Sequence, residues 1–130
     1  MNERIYISSK MYWAPEWREL RHAGWPIIST WIDEAGVGET ASFSDLWNRC
    51  INEASSATGL ILVGMQGDTL KGALIEVGAA LAANIPVAMV MIGGAEPPWG
   101  MYTAKAHPLV IGQYSNVYEA RSALQKTHVG

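Results

Sequence analysis

Short apolar segments alternate with longer segments of helical periodicity along the chain. A short run of branched and aromatic residues between Gly, Pro or polar residues is typical of a strand, and apolar residues spaced three and four apart are typical of a helix. These patterns predict five strands, at residues 4–9, 26–33, 59–65, 86–93 and 108–112. They also predict four helices, at residues 13–23, 45–56, 70–83 and 115–126.

This alternation predicts an open, doubly wound α/β sheet with mostly parallel strands and helices on both faces. The segments at 59–65 and 86–93 are apolar throughout, as expected for strands that are covered on both faces. Ligands bind such sheets at the carboxyl ends of the strands, where the strand order reverses. The loops expected to carry a site are therefore those at 8–10, 33–39, 66–71 and 93–100.

The composition indicates one domain with an unusually apolar surface. No repeat, low-complexity stretch or linker divides the 130 residues, so a single domain is predicted over 1–130. Hydrophobic residues make up 49% of the chain and charged residues 16%, below the roughly 25% of an average soluble domain. We therefore expect part of the surface to be buried between copies in a homo-oligomer, a dimer or larger.

Several classes of partner are disfavoured by the charge and by the scarcity of metal-binding residues. A net charge of -3 without a Lys/Arg cluster argues against polymeric nucleic acid. One cysteine and three scattered histidines provide neither an internal disulfide nor the spacing of a zinc site, so no metal is expected. The longest apolar run, 85–92, is far below the roughly 20 residues of a membrane span, and no signal sequence is recognisable. We expect a soluble, cytoplasmic protein that does not bind membranes.

The segment KGALIEVGAALA, at 71–82, places one carboxylate, Glu76, in an otherwise apolar helix. Positions 72, 73, 76, 79, 80 and 83 form one stripe, which reads Gly, Ala, Glu, Ala, Ala, Ala. Small side chains allow another element or a ligand to approach the backbone closely. A buried glutamate on that stripe must be paired, and such carboxylates are candidates for function. The alternative is a solvent-facing Glu76.

The stretch GLILVGMQGDTLKGALIEVGAALAANIPVAMV, together with RIYISS near the N-terminus, resembles the nucleoside 2'-deoxyribosyltransferase-like superfamily. That superfamily includes nucleoside deoxyribosyltransferases and nucleotide N-glycosidases. The shared features are Gly72, Glu76, Gly78, Ala80 and the strand opening Pro86-Val87. Pattern and resemblance together predict a flavodoxin-like or Rossmann-like three-layer fold.

The resemblance implies that Glu76 is the nucleophile that attacks the anomeric carbon, or stabilises its positive charge, and that Tyr6 hydrogen-bonds it. Cleavage of an N-glycosidic bond passes through an oxocarbenium-like state, which a nearby carboxylate stabilises. Water as acceptor gives hydrolysis, and a second base gives transfer. The expected substrate is a small-molecule nucleoside or nucleoside 5'-monophosphate, and neither a metal nor another cofactor is expected.

Two other functions are consistent with the sequence. The aspartates that many relatives carry on the helix before the third strand and at the entry to that strand have Asn52 or Glu53, and Gly59, as their nearest equivalents here. This departure favours a non-catalytic nucleotide-binding or sensing module on the same fold. A pure interaction protein would instead place a salt-bridged Glu76 at a subunit interface.

Further candidates for substrate binding follow from position and from the resemblance. Two hydroxyls and a cation after the first strand are apt for the 5'-phosphate that relatives hold there. Trp31 and Trp99 are placed where a base could stack, and Asp45 or Asp68 could replace the missing aspartate. The alternative for each candidate is an ordinary cap, loop or core residue. The candidates are Ser8, Ser9, Lys10, Trp31, Asp33, Asp45, Asp68, Lys71, Gly72, Trp99 and His107.

Overall fold

The computed structural model describes residues 2–36, 39–97 and 99–128. Its strands are β1 (Ile5–Ser8), β2 (Gly59–Met65), β3 (Val87–Ile92) and β4 (Val110–Tyr114). Its helices are α1 (Ala14–His22), α2 (Phe43–Ser56), α3 (Gly72–Ala82), α4 (Trp99–Ala104) and α5 (Val117–Lys126), and 3-10 turns lie at Met11–Trp13 and Thr30–Asp33. Helix α4 was not predicted, because its first residues belong to a segment rich in Gly and Pro that indicates a loop.

The four strands form one parallel sheet in the order β1-β2-β3-β4. Strands β2 and β3 are buried along almost their whole length, which confirms the expectation from their continuous apolar sequence. The α/β class and the parallel arrangement are therefore confirmed, but the sheet has four strands and not five.

The predicted strand at 26–33 is wrong, and side chains of that segment explain why. Ile27 forms only an isolated parallel bridge with Ile5, and the chain then enters the 3-10 turn. The backbone N–H of Ile7 donates to Ser29 Oγ at 2.7 Å, and the Ile7 carbonyl accepts from Trp31 Nε1 at 2.9 Å. Two side chains thus take the positions that a neighbouring backbone would occupy, so β1 is satisfied without a full strand beside it.

The strand order reverses between β1 and β2. From β1 the chain passes outwards to Ile27 on one side, and it then returns through α2 to β2 on the other side. The carboxyl ends of β1 and β2, where this reversal occurs, are the position at which open α/β sheets bind ligands.

The helices cover both faces of the sheet. Helices α2 and α3 pack against each other on one face. On the other face α5 packs on β3 and β4, and Trp25, which follows α1, meets Tyr118 of α5 edge to face at 5.4 Å. Within the described ranges, no helix is long and apolar enough to cross a membrane.

A cap at the start of α5 provides a test of local stability. Asn116 precedes the helix, and its side chain accepts from the Glu119 N–H at 2.9 Å. We expect Asn116→Ala to lower the free energy of unfolding by about 1 kcal/mol, because a helix N–H loses its partner. Urea denaturation checks this loss, and Asn116→Asp, which keeps the acceptor, should restore most of it. Equal stability of the Ala and Asp variants would contradict the assignment.

Candidate active site

Strand β1 presents two hydroxyl groups to the face of the sheet that α3 covers. Tyr6 and Ser8 are two residues apart, so their side chains lie on the same face of the strand. Both are fully buried. Their neighbours Ile5 and Ile7 point to the opposite face and join the hydrophobic core. The alternation of β1 therefore places a phenol and a serine hydroxyl together beneath α3.

Glu76 of α3 accepts a hydrogen bond from each of these hydroxyls. Tyr6 Oη donates to Glu76 Oε2 at 2.6 Å, and Ser8 Oγ donates to Glu76 Oε1 at 2.5 Å. The Ser8 hydroxyl also lies 3.3 Å from the Ala73 carbonyl in the preceding turn of α3. Only 8% of the Glu76 residue surface is exposed, so the carboxylate is buried and hydrogen-bonded to neutral donors.

Small residues on α3 allow the carboxylate to lie this deep. Ala73 and Ala80, one turn on either side of Glu76, are both buried, and Val77 completes the buried face. A larger side chain at either alanine would hold the helix away from β1. The small-residue stripe expected from the sequence is thus the packed face of α3, and the solvent-facing alternative for Glu76 is wrong.

Burial dominates the acid–base properties of the cluster. It raises the pKa of Glu76, although hydrogen bonds from Ser8, Tyr6 and Cys50 act in the opposite direction. Burial and the nearby carboxylate also raise the pKa of Tyr6 well above its usual range, so the phenol remains a protonated donor. The site therefore combines a carboxylate that holds its proton unusually tightly with two hydroxyls that stabilise its ionised form.

Two residues of α2 extend the site and were not predicted. Burial, together with the Glu76 carboxylate, raises the pKa of the Cys50 thiol to about 12, so this thiol stays neutral beside the cluster. Trp47, one turn earlier, is 39% exposed and meets Gly72. The pattern that predicts a helix at 45–56 does not show that this helix packs beside α3, so neither residue could be assigned to the site.

The phosphate candidates after β1 are largely bonded to other protein groups. The Ser8 hydroxyl is committed to Glu76. Ser9 Oγ accepts from Trp17 Nε1 at 2.9 Å and donates to the Lys10 carbonyl at 3.0 Å. Lys10 is half-buried next to them, and Lys71 is exposed at the start of α3. A role of Ser9 or Lys10 in substrate binding stays a prediction.

Three candidate carboxylates make contacts elsewhere. Arg21 donates to both oxygens of Asp33, at 2.9 and 2.7 Å, and holds the pKa of Asp33 below its usual range. Arg49 donates to Asp45 Oδ2 at 2.9 Å within α2. Asp68 accepts from the Met65 N–H at 2.9 Å and from Tyr12 Oη at 2.6 Å, so it links the loop after β2 to the segment after β1.

The remaining candidates lie in different surroundings. Trp31 is buried, and its indole N–H donates to β1, so its ring belongs to the core. The exposed His107 accepts from the Leu109 N–H through Nδ1 at 3.1 Å, in the loop before β4. The side chain of Trp99 lies outside the described part of the chain. Over residues 2–36, 39–97 and 99–128, no group of three or more His, Cys, Asp or Glu side chains is arranged to hold a metal ion.

The parallel sheet, its two helical layers and the glutamate at the reversal of strand order define a flavodoxin-like α/β domain with a carboxylate-centred site. Its fold is similar to that of the CMP N-glycosidase BcmB from Clostridium botulinum, with a TM-score of 0.58. The two chains are 14% identical over 98% of this chain and 100% of the other. No family model matches this sequence, and no curated protein matches it. The comparison confirms the predicted resemblance to nucleotide N-glycosidases as a likeness of fold.

The raised pKa of Glu76 predicts a distinctive pH dependence of stability. A carboxyl group whose pKa is higher in the folded protein than in the unfolded chain stabilises the fold most in acid, and this contribution is lost as the pH rises through the folded pKa. Relative to wild type, Glu76→Gln should therefore become more stable as the pH rises from about 4 to about 8. Urea denaturation of both proteins across that range measures the difference.

Glu3 is the matched control, because Arg121 lowers its pKa. Glu3→Gln should show the opposite trend and become less stable relative to wild type as the pH rises. A stability difference for Glu76→Gln that does not change with pH would contradict the assignment.

Proposed function

We propose that this protein cleaves or transfers the N-glycosidic bond of a nucleoside or nucleoside 5'-monophosphate, with Glu76 as the nucleophile. The observation that carries the proposal is the buried Glu76 carboxylate, which accepts from Tyr6 and Ser8 at the reversal of strand order. The likeness of fold to a CMP N-glycosidase supports the same reaction class.

In the proposed reaction, a Glu76 oxygen attacks the anomeric carbon of the sugar. The bond between that carbon and the base nitrogen breaks, its electron pair leaves with the base, and a proton from solvent completes the free base. A water oxygen then attacks the anomeric carbon of the glycosyl-enzyme, the bond to the Glu76 oxygen breaks and restores the carboxylate, and a proton of the water passes to solvent. In transfer, a nitrogen of a second base attacks in place of water and loses its proton to solvent. Burial makes the carboxylate a stronger nucleophile, because water no longer solvates its charge.

Tyr6 and Ser8 are positioning residues in this scheme. Their hydrogen bonds fix the plane of the carboxylate and stabilise its ionised form, which is the form that attacks. The neighbouring Cys50 thiol stays neutral and adds no competing charge. Substrate is expected to approach from the carboxyl ends of β1 and β2, because side chains of α3 lean towards the N-terminal end of that helix.

Loss of the nucleophile should abolish base release. We expect Glu76→Gln to lower kcat/KM by about a thousandfold or more, which corresponds to ~4 kcal/mol of lost transition-state stabilisation. Chromatographic detection of free base from matched nucleosides and 5'-monophosphates measures it. Glu3→Gln makes the same chemical change before the N-terminal end of β1, where Glu3 accepts from Arg121 of α5, and should leave base release unchanged. If wild type releases base and Glu76→Gln releases it at the same rate, the proposal is wrong.

The hydroxyl of Ser8 should set the pH at which activity is lost in acid. Removing it in Ser8→Ala raises the pKa of Glu76 further, since one bond to the ionised form disappears. The acidic limb of the profile of kcat against pH should therefore move to higher pH. Ser55, whose hydroxyl bonds the α2 backbone at Ile51, is the control, and Ser55→Ala should leave the limb in place. An unmoved limb in Ser8→Ala would contradict this role.

A non-catalytic nucleotide-binding module is the second candidate. It is favoured by the two short hydrogen bonds that occupy both oxygens of Glu76, together with the low exposure of that residue. A wild-type protein that binds CMP or cytidine, with mass spectrometry showing the ligand uncleaved, would select this function. Assembly into a homo-oligomer stays a prediction from composition.

A further inference from the structure

Trp47 of α2 and Glu76 of α3 both lie where these two helices face each other. A Cβ added to Gly72 would lie 3.3 Å from Cη2 of Trp47 and 3.7 Å from Cζ2, so the benzene end of the indole lies close to the backbone at Gly72. One turn further along α2, Cys50 lies within interaction distance of the Glu76 carboxylate. Successive turns of α2 therefore meet successive turns of α3, with Trp47 at Gly72 and Cys50 at Glu76.

This pairing places the indole of Trp47 about one helical turn from Glu76, towards the start of both helices. Both helices lead the chain away from the carboxyl ends of the strands, so both begin at the edge where a ligand would enter. Long helical side chains lean towards the helix N-terminus, so Trp47 and Glu76 are both directed towards that edge. Gly72 precedes Glu76 by four residues, which is one helical turn, or about 5–6 Å.

The indole is unusually accessible for a side chain in this position. Trp47 is 39% exposed, whereas Trp17 and Trp31 are 2% and 8% exposed. The Trp47 atoms nearest to Gly72 are Cη2 and Cζ2, at the far end of the benzene ring, and 39% of the residue is left exposed to a ligand. Trp31, one of the two tryptophans predicted to stack a base, is unavailable to a ligand because it is buried and bonded to β1.

We propose that Trp47 binds the nucleobase of the substrate by stacking it against the indole. The inference rests on the proposed function, because a sugar whose anomeric carbon faces Glu76 carries its base one bond away. The base must then lie beside the carboxylate and within reach of a side chain one helical turn distant. Stacking on an aromatic face tolerates different bases, since every base has a π face. Trp47 is thus a positioning residue that holds the leaving base, and Gly72 lets the ring sit close to α3.

Steady-state kinetics of base release test this role. We expect Trp47→Ala to raise KM about tenfold or more with little change in kcat, because stacking is made equally in the ground state and the transition state. Trp47→Phe keeps an aromatic face and should recover most of the lost affinity. Trp25, half-buried against Tyr118 on the other side of the sheet, is the matched control, and Trp25→Ala should leave KM unchanged. An unchanged KM in a folded Trp47→Ala protein would overturn the inference.

Direct binding separates failure of this inference from failure of the proposed function. In a Glu76→Gln background, which cannot form the glycosyl-enzyme, equilibrium dialysis gives the Kd of CMP, cytidine, AMP and adenosine. Tight binding that weakens about tenfold on adding Trp47→Ala supports stacking, even if wild type releases no base and the proposed reaction is wrong. Equal Kd with and without Trp47, or no binding of any of the four probes, overturns it.

Discussion

The burial of one carboxylate against β1 is the interaction on which the site depends. An ionised glutamate loses favourable solvation when it enters the interior, and hydrogen bonds must replace that solvation. Tyr6 and Ser8 supply one bond to each oxygen, and both are neutral donors. Neutral donors leave the carboxylate its full charge, whereas a salt bridge would offset that charge. The arrangement suits a group that must react with a developing positive charge.

The position of these donors depends in turn on how β1 is held at both of its edges. On one edge β1 pairs with β2 through regular parallel bonds. On the other edge, the Ile27 bridge, Ser29 Oγ and Trp31 Nε1 satisfy the strand. The side chains of Ser29 and Trp31 thus make the hydrogen bonds to Ile7 that a neighbouring strand makes in a more regular sheet. The strand order still reverses between β1 and β2, so Glu76 lies at the reversal although the strand predicted at 26–33 does not form.

The sequence revealed those parts of the fold and the site that depend on local patterns. Continuous apolar runs predicted β2 and β3, and a lone carboxylate among small residues made Glu76 a candidate for a functional group, with a solvent-facing Glu76 as the alternative. The strand at 26–33 was wrong because its branched residues have the same local pattern whether the backbone or side chains such as Ser29 and Trp31 bond β1. Position in the sequence made Ser8 a candidate for binding a phosphate, but position alone could not show that its hydroxyl would face Glu76.

The packing of α2 on α3 was beyond sequence reasoning, because it depends on contacts between residues about 25 positions apart. Once those helices are in register, the small residues of α3 have two consequences. Ala73 and Ala80 let the helix approach β1 closely enough for Tyr6 and Ser8 to reach Glu76. Gly72 lets Trp47 approach the same helix from the other side. The stripe therefore brings a buried carboxylate and an accessible aromatic ring to within about one helical turn of each other, and both proposed roles depend on the small residues of α3.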